Sequence, residues 1–148
     1  MIAGPMIAAS FADAVRSSFS RESCSAFLAN AQNPDGGWGF KPGADSTVEP
    51  TCWAVLALQA ASRESSDFEE PVKLARRWLC AAQLPDGSWP AFIAQTSGCW
   101  LTSLASIALC GDAEFSPSVA RGAQWVCDSW PAEGGLWWRV RRWLRPEP

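Results

Sequence analysis

The sequence predicts an all-α protein of repeated helical hairpins in two layers, and three observations predict it. The first is an internal repeat. Gln32-Asn33-Pro34-Asp35-Gly36-Gly37-Trp38-Gly39 returns as Gln83-Leu84-Pro85-Asp86-Gly87-Ser88-Trp89-Pro90, with Pro two, Asp three, Gly four and Trp six residues after each Gln. A recurrence every ~50 residues marks stacked supersecondary units. The second observation is context: each copy follows a run with helical periodicity and precedes a strongly apolar one. The third is alternation. One class of run is charged on one side and the other is apolar all round, so the economical arrangement sets the apolar helices inside and the amphipathic ones outside, facing water.

The octapeptide has the chemistry of a helix stop and a tight turn. Pro34 and Pro85 fix φ for the second position of a type I turn, Asp35 and Asp86 suit the third, and Gly36 and Gly87 take the positive φ that follows. The side chains of Gln32 and Gln83 serve backbone groups left unpaired at the helix end. Trp38 and Trp89 then fold back over the turn. A large aromatic beside a turn is more often packed against it than held for a substrate, so the pair reads as lids rather than ligand contacts.

In chain order, residues 1–19 are Ala- and Ser-rich and form a leader, with a short helix at Phe11–Phe19 as the one candidate element. From Ser20 to Gln32, Phe27, Leu28 and Ala31 make an apolar stripe beside Arg21 and Glu22, the pattern of a half-exposed helix. Ser46-Thr47-Val48-Glu49 has capping-box spacing and opens the uncharged run Cys52–Ala61, a helix apolar on all sides and so expected to be buried on all sides. Ser66 to Glu69 repeats the capping spacing. It opens an amphipathic helix that sets Val72, Ala75, Leu79 and Ala82 against Lys73, Arg76 and Arg77. The uncharged run Cys99–Leu109 then matches the earlier one in its Cys-Trp entry. A third unit starts at Ser116-Pro117, and its turn is eroded: Trp130 stands for Gln83, Glu133 for Asp86, Gly134 for Gly87 and Leu136 for Trp89. The repeats thus run over about 20–62, 66–111 and 116–145 of a single domain spanning 20–148.

Composition sets limits on function. The 148 residues contain ten Trp, no Tyr and no His, so no His-dependent base, triad or His-ligated metal site exists in this chain. Its six Cys lack CxxC spacing and read as reduced thiols, with Cys80, Cys99 and Cys110 in or beside apolar runs as small hydrophobes. No metal or cofactor is expected. Met1–Ser10 carries no Lys or Arg and makes a poor signal peptide, which gives a cytoplasmic location. The net charge of -3 argues against nucleic-acid binding.

Through Gln32/Asp35/Gly36/Trp38 and Gln83/Asp86/Gly87/Trp89, residues 20–136 resemble the QW-type motifs of the terpenoid cyclase and protein prenyltransferase superfamily, the prenyltransferase and squalene oxidase repeat. The squalene-hopene cyclase-like branch is nearest in texture. The resemblance implies about three hairpins forming an arc of an α/α toroid, whose inner ring encloses a cavity for an isoprenoid or other apolar lipid. It implies no activity by itself. The family's DxDD proton donor, its DDxxD magnesium site and the His-containing zinc site of prenyltransferases are all missing here, which leaves enzymatic status open.

Within that frame Glu49 is the one carboxylate near the cavity mouth, a weak candidate for the acid whose alternative is a helix cap. Trp53, Trp100 and Thr51 are the candidates to line the cavity, with packing between the rings as the alternative for the two Trp. A closed ring needs about five to seven hairpins, so an arc leaves apolar surface to be covered by a second copy, by the remainder of a longer protein or by lipid. Residues 137–145, with Arg on one side and Trp, Val and Leu on the other, are either an interfacial membrane helix or an outer helix closing the domain. The expectation is a shortened cyclase-like repeat protein that is not competent alone. The alternative is a non-enzymatic interaction module.

Overall fold

The helical periods of the sequence become five α-helices and no strand among the residues that the computed structural model describes, 20–63 and 65–129. The leader, the eroded third turn and the cationic tail at 137–145 lie outside these residues. We label the helices α1 (Arg21–Asn30), α2 (Val48–Ser62), α3 (Glu69–Ala81), α4 (Leu101–Leu109) and α5 (Ser116–Asp128). None of them is long and apolar enough to cross a membrane.

Helix entry differs from the sequence expectation. The capping boxes at Ser46–Glu49 and Ser66–Glu69 do not form. Thr47 occupies the cap position of α2 without a side-chain bond to the helix, because the Ser46 hydroxyl is drawn to Asp35 instead, at 2.7 Å. The second and third units begin one step earlier, on 3-10 turns at Ser66–Phe68 and Ala113–Phe115 that lead into α3 and α5. Their caps are Ser65, accepting from the Asp67 N–H at 3.3 Å, and Asp112, accepting from the Glu114 N–H at 2.9 Å. The extra turn moves the capping side chain upstream of the position that helical spacing marks.

Two layers result. The apolar α2 and α4 pack against each other, α1 and α3 lie against α2, and α5 lies against α4. Val48, Cys52, Val55 and Leu58 of α2 meet Leu101, Ala105 and Leu109 of α4 in one core, closed from outside by Val72, Ala75 and Leu79 of α3. Arg76, on the same helix, is buried. It donates from Nε to the Ala108 carbonyl at 3.2 Å and from Nη2 to the Cys110 carbonyl at 3.0 Å, pairs with Asp112 at 3.5 Å and stacks on Phe115. A cation thus satisfies the last carbonyls of α4, where the helix dipole is negative.

The inner helices are not buried on all sides. Trp53, Ala57 and Ala60 of α2, with Ser103 and Ile107 of α4, form exposed stripes, because α1, α3, α4 and α5 cover only the other sides. Among the cysteines Cys52 is buried, Cys80 and Cys99 are half-buried, and Cys110 is exposed because it follows the last turn of α4. None is bridged.

Candidate functional site: the repeated turn and the inner apolar face

Each octapeptide folds as a type of turn that its residues dictate. The Gly36 N–H donates to the Asn33 carbonyl and the Asn33 N–H to the Gly37 carbonyl, both at 2.9 Å, and Leu84, Gly87 and Ser88 repeat the pattern. Gly36 and Gly87 hold φ of 92° and 90°. The turn also needs glycine for a second reason: a Cβ at Gly36 would lie 3.0 Å from the Leu74 carbonyl oxygen of α3, and one at Gly87 2.7 Å from that of Arg121 in α5. Each turn is seated on the backbone of the next outer helix.

The side chains join three helices. Gln32 Nε2 donates to its own turn at Gly36 (2.8 Å) and to the Pro71 carbonyl in α3 (2.9 Å); Gln83 does the same to Gly87 and to Ser118 in α5, at the same distances. Trp38 and Trp89 are buried lids. Their indole N–H groups donate back to the Leu28 and Leu79 carbonyls in the last turns of α1 and α3, at 2.8 and 2.7 Å. Asp35 accepts from the Trp78 indole N–H (3.0 Å) and Asp86 from that of Trp125 (3.1 Å), so the carboxylate clamps the next outer helix.

Both carboxyls titrate below the usual Asp value. For Asp35, partial burial works to raise the pKa, and the Gly37 N–H, the Ser46 hydroxyl and the Trp78 indole outweigh it. For Asp86 the Ser88 hydroxyl and N–H lead, burial opposes them, and the Trp125 indole adds to the lowering.

Thr51, a candidate for the cavity wall, belongs to this assembly instead. It is fully buried, its oxygen accepts the Trp38 N–H at 2.9 Å, and its hydroxyl donates to the Thr47 carbonyl at 2.7 Å. Thr102 receives the Trp89 N–H in the same way at 3.0 Å. The sequence signal was present, since each Thr follows its Trp by 13 residues. Trp78 and Trp125 carried a similar signal, each five residues before the position of a repeat Gln.

The Thr pair fixes the register of the inner helices. Trp53 comes two residues after Thr51, and Trp100 two before Thr102, so the matching Cys-Trp entries are displaced by about one helical turn. A one-turn offset keeps both on one side of their helices. Trp53 is 54% exposed and Trp100 62%, which rules out packing between layers for either. Ala57, Ala60 and Ile107 are exposed on the same two helices, and none of these five residues carries a charge.

Glu49 lies at the start of α2, half-buried and without a hydrogen bond. Five residues beyond the Thr47 cap, burial and then the charge of Glu49 push the Cys52 thiol up to about 12, so Cys52 is no nucleophile at neutral pH. Two open clefts among the described residues, of about 790 and 890 Å³, lie by the first turn and at the far end of α2 and α4, and neither is lined by Trp53, Trp100, Thr51 or Glu49.

No known family profile matches the chain. Individual relatives do. Over 101 residues, 67% of this chain, it is 35% identical to a drimenyl diphosphate synthase of Streptomyces showdoensis. It is 34% identical over 74 residues, 43% of the chain, to the lanosterol synthase of Homo sapiens. Against a squalene–hopene cyclase of Zymomonas mobilis the identity is 36% over 76 residues, again 43% of the chain. The chain covers only 19%, 10% and 11% of these three proteins, respectively.

Proposed function

We propose that this chain, similar over part of its length to several terpenoid cyclases, is a cyclase-like repeat protein whose inner face takes an isoprenoid or other apolar lipid. The observation that carries this reading is the exposed, uncharged face of α2 and α4. Trp53 in α2 and Trp100 at the cap position of α4 are both more than half exposed. Aromatic faces there suit an apolar chain, and suit cationic character developing on it. In this reading the inner helices belong to an arc of an α/α toroid, and the QW-type turns are the devices that lock its units together.

The chain is not a competent cyclase by itself. Its 148 residues contain no DxDD, and a protonating acid must be held neutral and aimed at substrate. Glu49 stays the sole weak candidate. It is half-buried in the first turn of α2. A peripheral membrane contact through residues 137–145, with Arg beside Trp, Val and Leu, belongs to the same proposal.

The test is a titration of the full chain with farnesol, read by tryptophan fluorescence, alongside incubation with squalene and product analysis. Saturable binding without product is the expected result. No saturable binding would remove the lipid reading and favour the interaction module; product that disappears in Glu49→Gln would overturn the claim of incompetence.

A further inference from the structure

The exposed stripe of α2 leads into a cleft. Trp53, Ala57 and Ala60 follow one another at helical spacing over about 10 Å, and Ala60 is also a wall of the cleft of about 890 Å³ at the far end of the helix. At the end of α4, Ile107 and Cys110 are exposed one turn apart, and Cys110 lines the same cleft. An apolar chain lying along either stripe therefore brings its end to the cleft.

The cleft is charged where the stripes are not, and part of that charge is already spent on the fold. Arg76 lies across the carbonyls that end α4 and pairs with Asp112, and Glu114 pairs with Arg77 at 3.2 Å. The rest is unspent. Arg63 and Lys73 have no ion pair, and the half-buried Gln59 has no hydrogen bond, among the described residues. Of the acids that line the cleft among those residues, Glu69 alone stands unpaired against them. The unspent groups thus carry two positive charges and one negative, and Gln59 adds an amide able to donate.

A half-buried amide without a partner, beside two unpaired cations, calls for an acceptor that the chain does not supply. A surplus of one positive charge suits a head with one negative charge. A carboxylate meets both conditions, since it takes Arg in a fork, Lys as a point charge and an amide N–H as a donor. On the lipid reading, which this assignment presupposes, we propose that the apolar ligand of the inner face carries a carboxylate. Gln59, Arg63 and Lys73 hold that head in the cleft while its chain lies along Ala60, Ala57 and Trp53.

Farnesol and farnesoate share a chain and differ in the head, so the full chain is titrated with each at neutral pH and read by tryptophan fluorescence. Farnesoate should bind about tenfold more tightly, a preference that shrinks as salt is raised. Arg63→Gln with Lys73→Gln should bring the ratio of the two affinities close to one, and Glu69→Gln should increase it. Far-UV circular dichroism should hold in each variant, since all three side chains are exposed. Myristate as a third ligand separates the sources: affinity equal to that of farnesoate marks any long-chain acid, weaker affinity an isoprenoid acid, and either supports the carboxylate. Farnesol bound as tightly as farnesoate, or a preference that survives loss of both cations, would overturn the head-group assignment and leave the lipid reading standing. Binding of neither would remove both.

Discussion

At Gly37 and Ser46, and at Ser88 and Gly98, the two repeats solve one problem in opposite ways. Asp35 receives its hydroxyl from Ser46, across the loop, and Asp86 receives its own from Ser88, two residues on. The facing position is glycine in each case. A Cβ at Gly37 would lie 2.6 Å from the Ser46 Cβ, and one at Gly98 would overlap Ser88. Gly37→Ser alone should therefore cost about 1–3 kcal/mol in urea unfolding, and Gly37→Ser with Ser46→Gly should recover most of it. If the double variant is no more stable than the single one, the exchange is coincidental.

The same two carboxylates set the acid limit. Their folded pKa values lie below the unfolded value of about 3.9, so their stabilisation is full above that pH and is lost as pH falls through the folded values. Asp35→Asn with Asp86→Asn should flatten the fall of melting temperature as pH drops below about 4. With no His in the chain, melting should change little near neutrality. An acid limb that survives both substitutions would place the acid sensitivity elsewhere.

At the scale of elements, an inner helix is tied to the preceding turn by one buried hydroxyl. Thr51→Val and Thr102→Val keep shape but leave the buried Trp38 and Trp89 N–H groups without acceptors, which should cost about 1–3 kcal/mol each. The matching changes at exposed Ser103 should be neutral in the same melts. Helix existence and the amphipathic face of α3 were legible in sequence, because periodicity alone decides which side is apolar. The capping boxes misled. Spacing identifies a cap only when its hydroxyl has no better partner, and Ser46 had Asp35. Arg76 misled too, since a helix face that reads as charged was turned onto the carbonyls ending α4.

Across the whole molecule, the apolar face of α2 and α4 is where function is proposed. Trp53→Ala and Trp100→Ala remove exposed side chains, so melting should hold while farnesol affinity falls about tenfold for each. Equal affinity in both variants would move the ligand, if any, away from this face. The sequence by itself determined the repeat, the turn and the alternation of apolar with amphipathic helices, because these depend on local spacing and on φ preferences carried by Pro and Gly. Only the tertiary structure decided which Trp is buried and which exposed, and that Thr51 bonds to the turn before it. Those outcomes depend on neighbours distant in sequence, on whether a turn, a hydroxyl or nothing comes to rest against the side chain.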